Sequence, residues 1–214
     1  MIGPKANPTC DCPARLPWSR RNPESRLHRF DKLLKWLVID GFGFHEGYFH
    51  TDKWIRKQER HPNLSQFGKR VFDQGLGRCI WFAGGADVPE IIAIVDRFSE
   101  DRKPDLWSGI GLACSYAGAC NESELSQLMK ASSFHIAHFR QGIAFGVEAR
   151  FRGGISTEAT RQTAEVTCEH SVEDLAELTV LTRQDVEERS SGEPYEQWRS
   201  LIRNSLDSPK VAIA

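Results

Sequence analysis

The stretch FDQGLGRCIWF, Phe72 to Phe82, decides the reading of the fold because it sets two glycines, Gly75 and Gly77, inside an otherwise unbroken helical run. Counterparts lie on both sides: IDGFGFHEGYF from Ile39 to Phe49, LWSGIGLACSY from Leu106 to Tyr116, and FRQGIAFGVEA from Phe139 to Ala149. Their first glycines, Gly41, Gly75, Gly109 and Gly142, are spaced by 34, 34 and 33 residues, the mark of stacked supersecondary units. A second small residue follows two positions on, as Gly43, Gly77, Gly111 and Ala144. A glycine inside a helix costs about 0.5 to 1 kcal/mol relative to alanine, so a repeated pair needs a reason. Close approach of neighbouring helices supplies one, and a floor of bare backbone beneath a ligand supplies another.

Apolar residues keep the same register. Val38, Phe72, Leu106 and Phe139 stand three before the first glycine, and Tyr48, Phe82, Tyr116 and Ala149 stand seven after it. Breakers then divide each unit. Gly84-Gly85, Gly118 and Gly153-Gly154 end the long helices. Shorter helices are expected over Val88 to Phe98, opened by Asp87 and Pro89, and over Glu122 to Ala131, opened by Asn121 with Glu124. A third is expected from Val172 to about Leu181, opened by Ser171 and Asp174, with a helix over Thr160 to Glu169 before it. The amphipathic run Pro194 to Leu206 reads as an end-cap of the stack. The fold class is therefore all-α, as stacked helix-pair repeats of tetratricopeptide-like or α-solenoid-like form. Tyr116 does not stand where the tetratricopeptide signature would put it relative to Trp107, so that family is not assigned. Residues 1–13 read as an unrelated leader, 14–206 as one domain and 207–214 as a frayed tail.

Composition narrows the function classes. The 28 Lys+Arg against 29 Asp+Glu leave a net charge of -1, which argues against nucleic acid as a partner despite the local cluster Arg15, Arg20, Arg21, Arg26 and Arg29. No apolar run is long enough for a membrane span, and the N-terminus carries prolines and charges in place of a signal sequence. A cytoplasmic location is expected. Cys79, Cys114 and Cys168 fall in apolar helical patterns as reduced thiols, and Cys10 and Cys12 form an isolated C-x-C; no metal or cofactor is expected.

Two polar clusters carry the candidate chemistry. In the first unit these are Asp40, His45, Glu46 and His50. The histidines are five apart, which rotates them by about 140° on a helix and prevents them from sharing one metal, whereas a His–Glu pair suits acid–base work. In the second unit Asp73, Gln74 and Arg78 surround Gly75-Leu76-Gly77, one turn before Trp81. Arg78 occupies the register position held by Phe44, Leu112 and Phe145 elsewhere, so its charge needs a carboxylate or a ligand, with Asp73 and Glu46 as candidate partners. His45, Glu46, Asp73 and Arg78 are the catalytic candidates. Asp40, Gly41, Gly43, Gln74, Gly75, Gly77, Trp81 and Trp107 are the ligand-binding candidates. With Tyr48, Phe82 and Tyr116, the two tryptophans could equally be core or wall a groove for a flat polyene.

The motifs Asp40 to His50, Phe72 to Phe82 and Asp105 to Gly118, in order and correctly spaced, resemble the UnbL-type family, a bacterial family of unknown function encoded beside enediyne and related polyketide synthase clusters. The resemblance runs from about Ala14 through the Tyr195-to-Trp198 segment. It implies an accessory protein of enediyne-type polyketide biosynthesis that binds a polyketide or polyene intermediate, or a biosynthetic partner protein, on a helical-repeat surface. Two alternatives stay open: an enzyme modifying that intermediate with the His/Glu/Asp/Arg set, and a truncated structural remnant. Family members usually carry a further N-terminal region, so this chain reads as a shortened relative whose Leu27 to Ile39 segment, with Leu33, Leu34, Trp36 and Leu37, is expected to present an apolar surface that pairs with a second copy or aggregates.

Overall fold

The computed structural model describes residues 23–118, 120–189 and 193–207. Among the described residues every regular element is a helix. The α-helices among them are α1 Trp36–Phe49, α2 Gln66–Ala83, α3 Val88–Asp96, α4 Lys103–Ala117, α5 Glu122–Ala131, α6 Ile136–Arg152, α7 Glu158–Cys168, α8 Val172–Arg189 and α9 Pro194–Asp207. A 3-10 segment over Pro23–Arg29 precedes α1, and a π-helical turn over Asp52–Arg56 follows it. No helix among the described residues is long and apolar enough to cross a membrane. The leader reading lies outside the described residues, as does the tail after Asp207.

Local chemistry sets the boundaries. Ser65, Asp87, Asn121 and Thr157 each accept a backbone N–H of the first turn of α2, α3, α5 and α7, and Asn121 with Glu124 completes a reciprocal capping box. Just beyond the C-termini of α2, α4 and α6, Gly85, Gly118 and Gly154 adopt φ of 63°, 74° and 65°, a left-handed conformation that β-carbons resist. α1 ends without such a glycine and passes into the π turn. α8 runs to Arg189, well past the expected stop near Leu181, because Leu181-Thr182-Arg183 contains no breaker.

α1, α2, α4 and α6 stand side by side in chain order, while α3, α5 and α7 contact one another in the same sequence. Partner positions rise together along neighbouring long helices: the Trp36 ring meets Phe67, Asp40 meets Gln74, and Phe44 meets Phe82. These helices therefore run parallel, and the short segments return the chain. The paired glycines explain how close the row is. A Cβ on Gly75 would come within 3.0 Å of the Asp40 carbonyl, and one on Gly43 equally close to the Phe72 carbonyl. The reciprocal pattern recurs between α2 and α4 through Gly109 against Gln74 and Gly77 against Leu106, and between α4 and α6 through Gly142 against Ser108 and Gly111 against Phe139. The first glycine of each motif thus faces the preceding helix and the second faces the following one. Both ends of the row obey the rule: Gly41, with no long helix before it among the described residues, has nothing within 4 Å, and alanine replaces the second glycine at Ala144.

The C-terminal helix does more than cap an end. α9 lies across the row, joined to α1 by Trp36 Nε1 donating to Glu193 (3.1 Å), to α2 by Arg70–Glu196 (3.2 Å), and to α4 by Arg199–Asp105 (2.5 Å). Phe145 of α6 packs on Trp198, ring centroids 4.6 Å apart. Of the N-terminal segment, Leu27, Leu33, Trp36 and Ile39 are buried within the chain itself, which leaves Phe30, Leu34 and Leu37 exposed. The thiols of Cys79, Cys114 and Cys168 are free and buried, and burial pushes Cys79 and Cys168 up to about 11.

Two outcomes follow from this packing. Gly75→Ala and Gly109→Ala each destabilise by at least about 2 kcal/mol because backbone blocks the added methyl, whereas Gly41→Ala stabilises by about 0.5 to 1 kcal/mol; urea unfolding of the three variants checks the contrast. His138, on α6 under α9, is held down to about 4 by burial first, then by Arg203 and Arg199, with Asp105 and Glu196 opposing. The unfolded chain, near the ordinary 6.5, therefore takes up this proton first as pH falls. Stability from this group is complete above about pH 6.5 and is lost down to about pH 4. His138→Gln removes that part of the acid slope, which unfolding curves at pH 7 and pH 5 measure; equal losses in both proteins would disprove it.

Candidate ligand face

One face of every long helix carries the residues one before, three after and seven after its first glycine. Spaced by four, these positions lie within about 80° of one another. The first set, Asp40, Gln74, Ser108 and Gln141, is polar on all four helices and buried on all four. Gln74 Nε2 donates to Asp40 Oδ2 (2.8 Å) and to the Tyr195 hydroxyl (2.9 Å). Ser108 donates to Gln141 Oε1 (2.9 Å) and lies 3.3 Å from Gln74 Oε1, and Arg199 Nε reaches Gln141 Oε1 at 3.3 Å. A polar seam thus runs through the row, sealed by Tyr195 and Arg199 of α9. Burial pushes the Tyr195 phenol upward, and it pushes the Asp40 carboxyl upward against the opposing pull of Arg78.

The second set is Phe44, Arg78, Leu112 and Phe145. α9 covers Phe145 through Trp198, while Phe44, Arg78 and Leu112 are only partly covered. Arg78 pairs with Asp40, and its guanidinium lies 5.2 Å over the Phe44 ring. Its partner is thus neither Asp73 nor Glu46, because Asp73 is turned to the other neighbour. The third set opens to solvent: Tyr48 is 58% exposed, Phe82 49% and Tyr116 43%. Phe44 stacks on Tyr48 at 6.4 Å and meets Phe82 edge-on at 5.8 Å, and Arg150 lies 5.1 Å over Tyr116. At the α1 end Phe49 continues the rings, 5.2 Å from Tyr48 and 4.7 Å from His45. The open half of the face is an aromatic ridge beside α9.

The polar candidates divide into three places. Asp73 accepts both Arg102 Nε (2.8 Å) and Arg102 Nη2 (2.5 Å) in a buried bidentate pair, and Arg102 also donates to the Gln58 carbonyl (2.8 Å). Burial raises the Asp73 carboxyl and Arg102 opposes the rise. Arg78 belongs with Asp40. Glu46 is buried with its Oε2 accepting Trp54 Nε1 at 3.1 Å, and its Oε1 lies 3.5 Å from His45 Nδ1 and 4.0 Å from His50 Nε2. Asp73 and Arg78 therefore work in separate ion pairs, while His45 and Glu46 stay together. No group of three or more His, Cys, Asp or Glu that could hold a metal is present among the described residues.

Of the ligand-binding candidates, Gly43, Gly75 and Gly77 are turned to backbone of the adjacent helix, so helix packing fills the space beneath them; only Gly41 is open. Trp81 and Trp107 are each 1% exposed, with Trp107 edge-on to Phe139 in the core. Asp40 and Gln74 are sealed beneath α9. Sequence reasoning missed Tyr195, Arg199 and Arg102 as partners. The four polar residues preceding the glycines were a visible signal for a cover over that seam.

These features define a class: an all-α protein whose parallel long helices pack glycine to carbonyl, with a polar seam under a C-terminal helix and an aromatic ridge left open. The chain belongs to the family described as protein of unknown function (DUF1702), whose model matches residues 12–206. No curated protein and no solved structure matches it.

Because Asp73 is buried, Arg102→Ala leaves a carboxylate without its partner and costs about 3 to 5 kcal/mol, while the double change Asp73→Asn with Arg102→Met recovers much of the loss; thermal unfolding of both distinguishes an ion pair from simple packing.

Proposed function

We propose that this protein is an accessory protein of enediyne-type polyketide biosynthesis that works in the cytoplasm and binds a conjugated polyketide or polyene intermediate along the ridge of Phe44, Tyr48, Phe82, Leu112 and Tyr116. In this reading the long and short helices are helix-pair repeats, and the ridge is their shared ligand surface. The observation that carries it is the exposure of an aromatic ring at the same register position on three neighbouring long helices, α1, α2 and α4. Large rings in solvent are unfavourable unless something covers them, and aromatic faces favour a flat π-system over a bulky aliphatic one. Helices packed through glycine lie near the short end of the usual 8–10 Å spacing, so Tyr48 to Tyr116 spans roughly 16 Å, an extended chain's length. Arg78 at the ridge is already paired with Asp40, and Arg150 donates to the Tyr116 and Ile155 carbonyls, which favours an occupant bound by its apolar body.

Parinaric acid, a linear conjugated tetraene whose emission rises on transfer from water, tests this directly. Saturable binding is expected, weakened about tenfold by Tyr48→Ala combined with Phe82→Ala, a loss near 1.4 kcal/mol. Phe134→Ala, at a ring 95% exposed near the other end of the row, should leave binding unchanged. Equal weakening by both changes, or no saturation, would overturn the proposal in favour of a protein partner for the ridge.

A further inference from the structure

We infer that His45 is a general base at the α1 end of the ridge, positioned by Glu46, and that it moves a proton on a ligand whose C–H is made acidic by conjugation. The inference rests on the ridge being the ligand surface. Its geometry starts from Trp54, which is buried against Phe72 and His61 and whose Nε1 donates to Glu46 Oε2. That bond fixes a buried carboxylate with its second oxygen 3.5 Å from His45 Nδ1. Nδ1 is shut off from solvent and makes no hydrogen bond among the described residues, and the Glu46 carboxylate oxygen faces it at 3.5 Å. A proton on Nδ1 directed at a carboxylate leaves the lone pair on Nε2. The His45 side chain as a whole is 31% exposed, so with Nδ1 buried the open edge of the ring is the one that carries Nε2. The ring rests on Phe49, which abuts Tyr48, so Nε2 stands at the head of the aromatic row.

His50 differs in the way that matters. It is more exposed, and its Nε2 is the atom turned toward Glu46, at 4.0 Å. Among the described residues, His61 is stacked on the Trp54 ring at 5.7 Å and interacts electrostatically with Glu46, Lys53 and Lys69, and Lys53 lies 4.1 Å over that ring. α1 itself is held against α2 by Gly43 and Gly47, whose open edges face Phe72 and Leu76, so the pair sits on a rigid element.

The chemistry needs no other reactant. A C–H bond of the ligand breaks, its electron pair spreads into the conjugated chain, and the proton passes to His45 Nε2, giving an imidazolium that Glu46 stabilises. Return of that proton to a carbon further along shifts a double bond without net oxidation. The substrate class is a conjugated chain carrying an activating carbonyl.

The probe 5-nitrobenzisoxazole, a flat ring opened when a base removes its C–H, reads this proton transfer alone. The whole chain is expected to turn it over saturably. His45→Gln lowers kcat at least tenfold, within the usual contribution of a general base, and His50→Gln leaves it within twofold. Glu46→Gln keeps the Trp54 hydrogen bond but can set an amide N–H donor against Nδ1, so kcat falls several-fold while KM is kept. Loss of rate in His50→Gln, an unchanged rate in His45→Gln, or an unchanged kcat in Glu46→Gln each overturns the assignment. Tyr48→Ala should raise KM with kcat kept. If His45→Gln abolishes turnover while Tyr48→Ala leaves KM alone, the base stands and the ridge reading fails.

Discussion

Three times along the row a glycine of one long helix receives a backbone carbonyl of its neighbour, and the neighbour returns the contact with a glycine of its own. The absent β-carbons let the helix backbones approach closely enough for Cα–H···O contacts, worth about 0.5 to 1 kcal/mol each. Together these contacts offset the conformational cost of glycine in a helix. They also fix the stagger between helices, since each glycine accepts the carbonyl three residues before its partner's glycine. Every other feature of the face inherits that stagger. It aligns the polar residues into a seam, the middle positions into a half-covered row and the outer aromatics into a ridge.

The seam shows why α9 is part of the same design. Asp40, Gln74, Ser108 and Gln141 could not be buried at low cost without partners, and Tyr195 and Arg199 join the neighbours in supplying them for all but Gln141 Nε2, which has no partner among the described residues. Arg199 is fully buried and paired with Asp105, an arrangement that costs desolvation but fixes where α9 lies. Because α9 crosses near the seam, it stops short of the outer aromatics. The open half of the face exists because the covering helix fills only the other half.

Much of the architecture was legible in particular residues. Asp87, Asn121 and Ser171 announced helix starts, and Gly84-Gly85, Gly118 and Gly153-Gly154 announced stops, because capping and left-handed turns are local chemistry. The His45–Glu46 pairing was legible for the same reason. The partner of Arg78 was not. Asp73 is nearer in sequence, yet helix rotation turns it to Arg102, and the partner is Asp40, at the register position just before a glycine on the neighbouring helix. Trp81 and Tyr48 also read alike as aromatics near a glycine, although one is core and the other surface.

By itself the sequence determined the helical class, the 34-residue interval and the points of closest approach, since periodicity, caps and glycine cost act within a few residues of chain. Only the tertiary structure decided what each face met. That Gly75 and Gly77 look in opposite directions, that Gly41 meets nothing, and that α9 lies across the row follow from the order of neighbours in space. Burial is a property of that order, so it alone separated the polar seam from the aromatic ridge on one continuous helical face.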